Sequence, residues 1–362
     1  MATCGFRIAD YVTSCGCKKG GARQRPPRKS SLTATSGLNP LQGLTTDCGE
    51  CAEDVSDRQP GDPCSSQSIL KAVVAFATAM APGAAPGAAP GAPPGAPGLL
   101  PTATSEEAEA VRAAAAVTGC ASESCLLRAP VFQQFVVERR LVPGARELAR
   151  ELELRFKARG PRDSLDLLSN YNLDETLQRW GRVFPNFFPC PFAMMDFDSN
   201  GDYFGKANLP AILEGRVPAD LGTERALRPF NCFGCIVNTD TSSGPGKHWV
   251  AVFVDCRPTG ANPWTVEYFN SAGRPPPKPM VKWMERTSAR LAEHRAGSSA
   301  GTAVDSVAVT DVDHQESQTE CGLYALFYIR RRLEGAPYRL FVEQLIPDEA
   351  MTTFRRHVFR ES

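Results

Sequence analysis

Histidine is scarce in this 362-residue chain: His248, His294, His314 and His357 are all there are, and the first half has none. A zinc site built on histidine is therefore excluded from that half. Net charge is also missing, with 40 basic and 40 acidic residues, so nothing suggests bulk nucleic-acid binding. No apolar run is long enough for a bilayer. The longest, Ile69 to Ala81, contains Lys71 and is too short to span. Met1 to Ile8 carries no apolar stretch of signal-peptide type. An even cysteine count is lacking too: 13 thiols rule out a fully paired disulfide framework. These absences predict a soluble protein of a reducing compartment, with no membrane span.

What is present divides the chain into three parts. Residues 1–104 read as a low-complexity tail and linker. Their first two thirds are rich in Arg, Gly, Pro, Ser and Thr, with a basic block from Lys18 to Lys29 and an acidic one from Asp47 to Asp57. The basic block is a candidate contact arm. Cys15, Cys17, Cys48 and Cys51 do not repeat as two C-x-x-C pairs, which argues against zinc. From Pro82 to Gly98 a Pro-Gly-Ala theme repeats, excluding helix and sheet. Residues 105–183 read as helical. Ser105-Glu106-Glu107 is a helix start. Phe132, Phe135, Val136, Leu141, Leu148, Leu152 and Phe156 recur at helical spacing, interrupted at Pro143-Gly144. A further helix runs through Leu165 to Trp180, with Asn172 and Asp174 as candidate caps.

Residues 184–362 change character. Met194 to Phe197, Asn231 to Asn238, His248 to Asp255 and Thr265 to Asn270 read as strands, and Pro279 to Arg295 and Cys321 to Glu334 as helices. Blocks of helices and a block of strands predict an α+β fold. Cys232 and Cys235, with Cys190 and Cys256, sit in or beside strand patterns that alternate toward a core. They read as buried free thiols rather than zinc ligands.

One cysteine is placed differently. Cys321 follows a polar run and opens an apolar helix, where unpaired N–H groups and the dipole favour a thiolate. A nucleophilic cysteine needs a base and the base an orienting group. His248 begins a strand and Asn270 ends the next. An antiparallel hairpin makes them neighbours, so the Asn270 amide oxygen can hold the imidazole. Asp255 lies at the far end of the same strand, more than ~20 Å off at about 3.3 Å per residue, and is rejected. Gln315 and Gln318 are both candidate oxyanion donors beside the Cys321 N–H.

Taken together, His248-Trp249, Asn270-Ser271, Gln315 and Cys321-Gly322 resemble the ubiquitin-like (SUMO-type) and adenovirus-type cysteine protease superfamily. More loosely, Cys120 to Leu127, Leu167 to Trp180 and Asn231 to Val254 resemble its mimivirus- and asfarvirus-type branch. The resemblance implies a papain-like, adenain-like core with a central mixed sheet flanked by helices, and a helical N-terminal subdomain. It selects Gln315, six residues before the cysteine, over Gln318, and places Trp249 near substrate. Asn270 stands where Asp is commoner. The implied activity is cleavage of viral structural polyproteins after small residues, commonly Gly-Gly, in the virion and host cytoplasm, with a polypeptide substrate, no cofactor and no metal. Removal of ubiquitin-like modifiers and a catalytically silent virion scaffold are the alternatives. Lys18-Lys19-Gly20-Gly21-Ala22 is a candidate self-processing site, cut after Gly21.

Overall fold

The computed structural model describes residues 49–52, 59, 61–81, 100–142, 144–161, 165–216, 229–258, 263–296 and 303–360. The basic block, Gly21, Cys15, Cys17 and Cys48 lie outside these residues. The chain forms two compact units, Leu165–Phe354 and Leu44–Ser164 with Arg355–Ser362.

The described part of the second unit is helical: α1 Gln67–Met80, α2 Glu106–Thr118, α3 Glu123–Arg128, α4 Pro130–Glu138 and α5 Ala145–Arg155. Ser105 caps α2 by accepting the Ala108 N–H at 3.2 Å. A two-residue strand, Ala158–Arg159, pairs in parallel with Phe359–Arg360. Helix α1 falls inside the stretch read as tail and linker. Its Ile69, Leu70, Val73 and Phe76 are buried, and Phe76 meets Phe132 and Phe135 edge-on at 5.3 and 5.2 Å. The apolar run too short for a membrane is thus a core helix of this unit. Two disulfides, Cys51–Cys64 and Cys120–Cys125, stand where uniformly reduced thiols are expected; each closes a short loop, of 13 and 5 residues' separation.

The first unit is α+β around a six-stranded mixed sheet. Its strands are β1 Phe187–Pro189, β2 Ala193–Met194, β3 Cys232–Asn238, β4 Trp249–Asp255, β5 Trp264–Phe269 and β6 Val304–Val309. The order is β1-β3-β4-β5-β6, with β2 also on β3; β3, β4 and β5 are antiparallel, and β1, β2 and β6 join in parallel. Period-two alternation divides the faces. Val250, Val252 and Val254 of β4, with Phe233 and Val266, share a core with Trp283 and Met284 of α7 (Lys278–Ala296).

The opposite face receives α8, Cys321–Leu333, which is buried nearly all round, as its apolar composition requires. Tyr328 stacks on Phe269 of β5 at 4.5 Å, and Arg332 lies over Phe253 of β4 at 5.4 Å. Helix α6, Asn170–Val183, belongs to this unit rather than to the helical one, which moves the expected boundary at 183/184. Its cap is Ser169, in a reciprocal capping box with Asn172, and not Asn172 or Asp174 alone. Asp174 instead accepts the Phe192 N–H at 2.7 Å. Of the stretch read as strand from Met194 to Phe197, only Met194 is in a strand, and Phe197 opens a helical segment, Phe197–Asn200.

Candidate active site

The loop between β3 and β4 ends at His248, and its own polar groups fix where it ends. Asn238 Oδ1 accepts the N–H groups of Asp240 and Lys247 at 3.0 Å each. The Asp240 carboxylate accepts from the N–H of Thr241 and Gly246 and pairs with Lys247 Nζ at 2.6 Å. Gly246 takes φ +92°, a left-handed conformation that suits glycine. The His248 carbonyl accepts the Thr239 N–H at 2.8 Å, so the residue is tied down before its strand begins.

Across the β4–β5 hairpin, the end of β5 brings Asn270 to His248. Nε2 of the imidazole lies 2.8 Å from Asn270 Oδ1. The amide has only one sensible orientation. The Ala272 N–H donates to Oδ1 at 3.0 Å, and Nδ2 donates to the Tyr268 hydroxyl at 3.1 Å. A main-chain N–H cannot accept, so the atom facing it is the oxygen. Nε2 therefore carries the proton, and Nδ1 keeps the lone pair that a base needs. Burial pushes the His248 pKa below its ordinary value; the Asn270 hydrogen bond pulls it back in part, and the charge of Arg274 adds to the lowering. These influences together favour the neutral ring.

Cys321 opens α8 and is 4 % exposed. The N–H groups of Trp249, Gly322 and Cys321 itself are directed at its sulfur. The Trp249 contact puts the sulfur beside the residue next to His248. Burial nevertheless raises the thiol pKa, more than these donors lower it, and Glu320 adds to the rise. The helix start favours a thiolate, as its position in the sequence implies, but burial acts against it and is the larger influence. Gly322 lets the helix start sit close to Leu168, because a Cβ there would lie 3.2 Å from the Leu168 Cβ.

Gln315 is held at both ends of its amide. Oε1 accepts the Ser271 hydroxyl at 2.8 Å and Nε2 donates to the Ser317 carbonyl at 2.9 Å. One amide N–H remains without a partner among the described residues. Gln318 is exposed. The Trp249 indole N–H donates to the Leu168 carbonyl at 3.2 Å, and Phe192 meets its ring edge-on at 6.2 Å. Large side chains thus stand around the helix start.

The remaining candidates are elsewhere. His314 is fully buried: Nε2 donates to the Phe341 carbonyl at 3.0 Å, Nδ1 accepts the Ile346 N–H at 3.2 Å, and burial pushes its pKa down to about 4. Asp255, at the far end of β4, pairs with Arg257 and Arg332 at 2.6 and 2.9 Å. Burial works to raise its pKa, but these arginines leave it below the usual range. Cys190, Cys232, Cys235 and Cys256 are buried free thiols. Reading the sequence passed over Tyr268, which shares a strand face with Asn270 two residues on; the i, i+2 spacing carried that signal.

Comparison with known proteins gives this arrangement a class. The C-terminal catalytic domain of the Ulp1 protease family matches residues 222–362. A cysteine protease of African swine fever virus (isolate Tick/Malawi/Lil 20-1/1983) is 39% identical over 321 residues, covering 88% of this chain and 98% of the relative. The fold and these matches define a cysteine-type peptidase. The chain belongs to the Ulp1 protease family. A crystal structure of the African swine fever virus protease superposes with TM-score 0.67 at 36% identity, covering 89% of this chain and 99% of that one. A thiol protease of Acanthamoeba polyphaga mimivirus is a more distant relative, 23% identical over 57% of this chain and 60% of its own length.

Proposed function

We propose that this peptidase is an endopeptidase of virion maturation, acting in the virion and host cytoplasm, that cuts viral structural polyproteins after small residues, Gly-Gly-Xaa above all. In this reading Cys321 is the nucleophile, His248 the general base and acid, Asn270 the group that orients the imidazole, and Gln315 with the Cys321 N–H the oxyanion donors. Trp249 walls the substrate groove. The observation that supports it is the fixed Asn270 amide, which commits Nε2–H and leaves Nδ1 basic on a residue whose chain neighbour, Trp249, turns its N–H to the Cys321 sulfur.

The reaction starts from a neutral pair. As the sulfur attacks the scissile carbonyl, its proton passes to Nδ1 and the carbonyl oxygen becomes an oxyanion held by N–H donors. The tetrahedral species collapses, the imidazolium protonates the departing amine, and a thioester remains. Water, deprotonated by the same imidazole, attacks the thioester and releases the acid and the thiol. No step requires a metal or cofactor. Crowding by Trp249, Phe192 and Leu168 supports residues without side chains before the cut.

A second reading has one specific support: a 38% identical relative from African swine fever virus (isolate Pig/Kenya/KEN-50/1950) is named a SUMO-1 cysteine protease. Incubating the full chain and its Cys321→Ala variant with a viral structural precursor containing Gly-Gly-Xaa and with a SUMO conjugate separates them. Cleavage of the precursor alone is expected. Turnover of the conjugate alone would replace polyprotein processing by deconjugation. Failure on both, with no labelling of Cys321 by a glycine vinyl-sulfone peptide, would leave a silent scaffold.

A further inference from the structure

We propose that Ser271 is a positioning residue for hydrolysis: its hydroxyl holds the Gln315 carboxamide in the orientation that the Ser317 carbonyl fixes, so that an N–H, and not the carbonyl oxygen, faces the forming oxyanion. The inference rests on Gln315 being an oxyanion donor. A carboxamide has two nearly isosteric ends, and turning it over replaces a donor by a lone pair. Aimed at an anion, the wrong end repels what the right end stabilises. Something must break the symmetry.

Two contacts do so. The Ser317 carbonyl can only accept, so the amide end 2.9 Å from it is Nε2. The other end is then Oε1, and Ser271 Oγ, 2.8 Å away, must donate to it. Ser271 is 1 % exposed, so water does not stand in easily for its hydroxyl. The main chain of the same residue holds the same loop. Its carbonyl accepts the N–H groups of His314 and Gln315 at 2.7 and 3.1 Å, and Ala272 bridges to Asp313. These contacts survive a change of side chain, which isolates the role of the hydroxyl. Asn270 directly follows β5, and Ser271 begins the turn that the Gly273 N–H closes on the Asn270 carbonyl at 3.0 Å. Asn270 thus serves the imidazole and Ser271 the oxyanion donor, both from one strand end.

The test is a double-mutant cycle on the full chain with a Gly-Gly-Xaa peptide substrate. Gln315→Ala is expected to lower kcat about 100-fold. Ser271→Ala is expected to lower kcat roughly 10-fold with KM within about twofold, a fraction of the loss of the donor itself. Adding Ser271→Ala to Gln315→Ala should cost nothing more, because the hydroxyl acts only through that amide. Alkylation of Cys321 by iodoacetamide needs the thiol and base but no oxyanion donor, so its rate should be unchanged in Ser271→Ala. Should that variant fail to fold, Ser271→Cys, similar in size and a weak donor, takes its place, judged on kcat alone. Losses that multiply in the double variant, an unchanged kcat in Ser271→Ala, or a fall in alkylation rate would each overturn the proposal. An unchanged kcat in Gln315→Ala would instead remove the oxyanion reading beneath it.

Discussion

The β4–β5 hairpin meets α8 at both ends, and the two meetings are opposite in kind. At the N-terminal end of the helix, His248, Asn270, Gln315 and Cys321 are polar groups with something left over: a lone pair on Nδ1, an amide N–H, a protonated sulfur. At the C-terminal end nothing is left over. Buried Glu267 accepts from Arg332 Nε and Nη2 at 2.8 and 2.7 Å, from Tyr328 at 2.7 Å and from Thr265 at 2.5 Å. Asp255 takes a further Arg332 N–H at 2.9 Å, and Arg257 donates to the Arg332 carbonyl at 2.8 Å. The burial that raises the Tyr328 pKa, with Glu267 beside it, keeps that hydroxyl protonated. The saturated end fixes the helix so that the unsaturated end can be spared for chemistry.

Substitutions can break this contrast at either end. The largest effect belongs to the open end. His248→Ala should cut kcat/KM on the order of 10⁴-fold with the melting temperature nearly unchanged, and Asn270→Ala should be milder because it disturbs only orientation. Equal rates for His248→Ala and the parent would end the catalytic assignment. At the closed end, Arg332→Met leaves Glu267 buried without its cation and should cost about 3–5 kcal/mol of stability. Denaturant melts would show it, while kcat per folded molecule stays near normal.

Next in size is acid sensitivity. The unfolded chain binds a proton at His314 near the ordinary histidine value of about 6.5, whereas the folded ring resists until about 4. Between those values the unfolded state holds more protons, so stability falls as pH drops and levels off below. His248, also lowered, adds in the same direction. The His314 share is about 3 kcal/mol, and melts from pH 7 to 4 compared with His314→Gln measure it. The smallest effect is a displacement of a profile. Asn270→Asp places an anion on Nε2–H and should raise the His248 pKa by roughly one to three units, moving the acid limb of kcat/KM upward by that amount. An unmoved limb would mean that His248 does not titrate in it.

The same contrast explains what could be read from residues alone. The order His248, Asn270, Gln315, Cys321 is visible in the chain, because each role needs one residue type at an element's start or end. The β4–β5 pairing is visible too, since Val250, Val252 and Val254 alternate strictly. The saturated end was less visible: Glu267 and Arg332 look like solvent-facing charges until β5 and α8 are packed together. Strand β6 hides behind a Gly-, Ser- and Ala-rich run from Gly297 to Thr302, and its burial does not alternate: its first three residues are partly buried and its last three buried. Helix α1 lies between two segments of tail-like composition, and its packing on α2 and on Phe132 and Phe135 gives it a reason to fold. The balance at Cys321 depends on how fully packing covers it, which no spacing rule contains.

That covering has a practical reach. A capped, neutral sulfur is a slow target for peroxide and for small alkylating drugs, whose attack depends on a ready anion. Under the proposed function, electrophiles built on an extended glycine-ended peptide would form their oxyanion at the proposed donors, so selectivity would come from the shape that carries the warhead rather than from warhead strength.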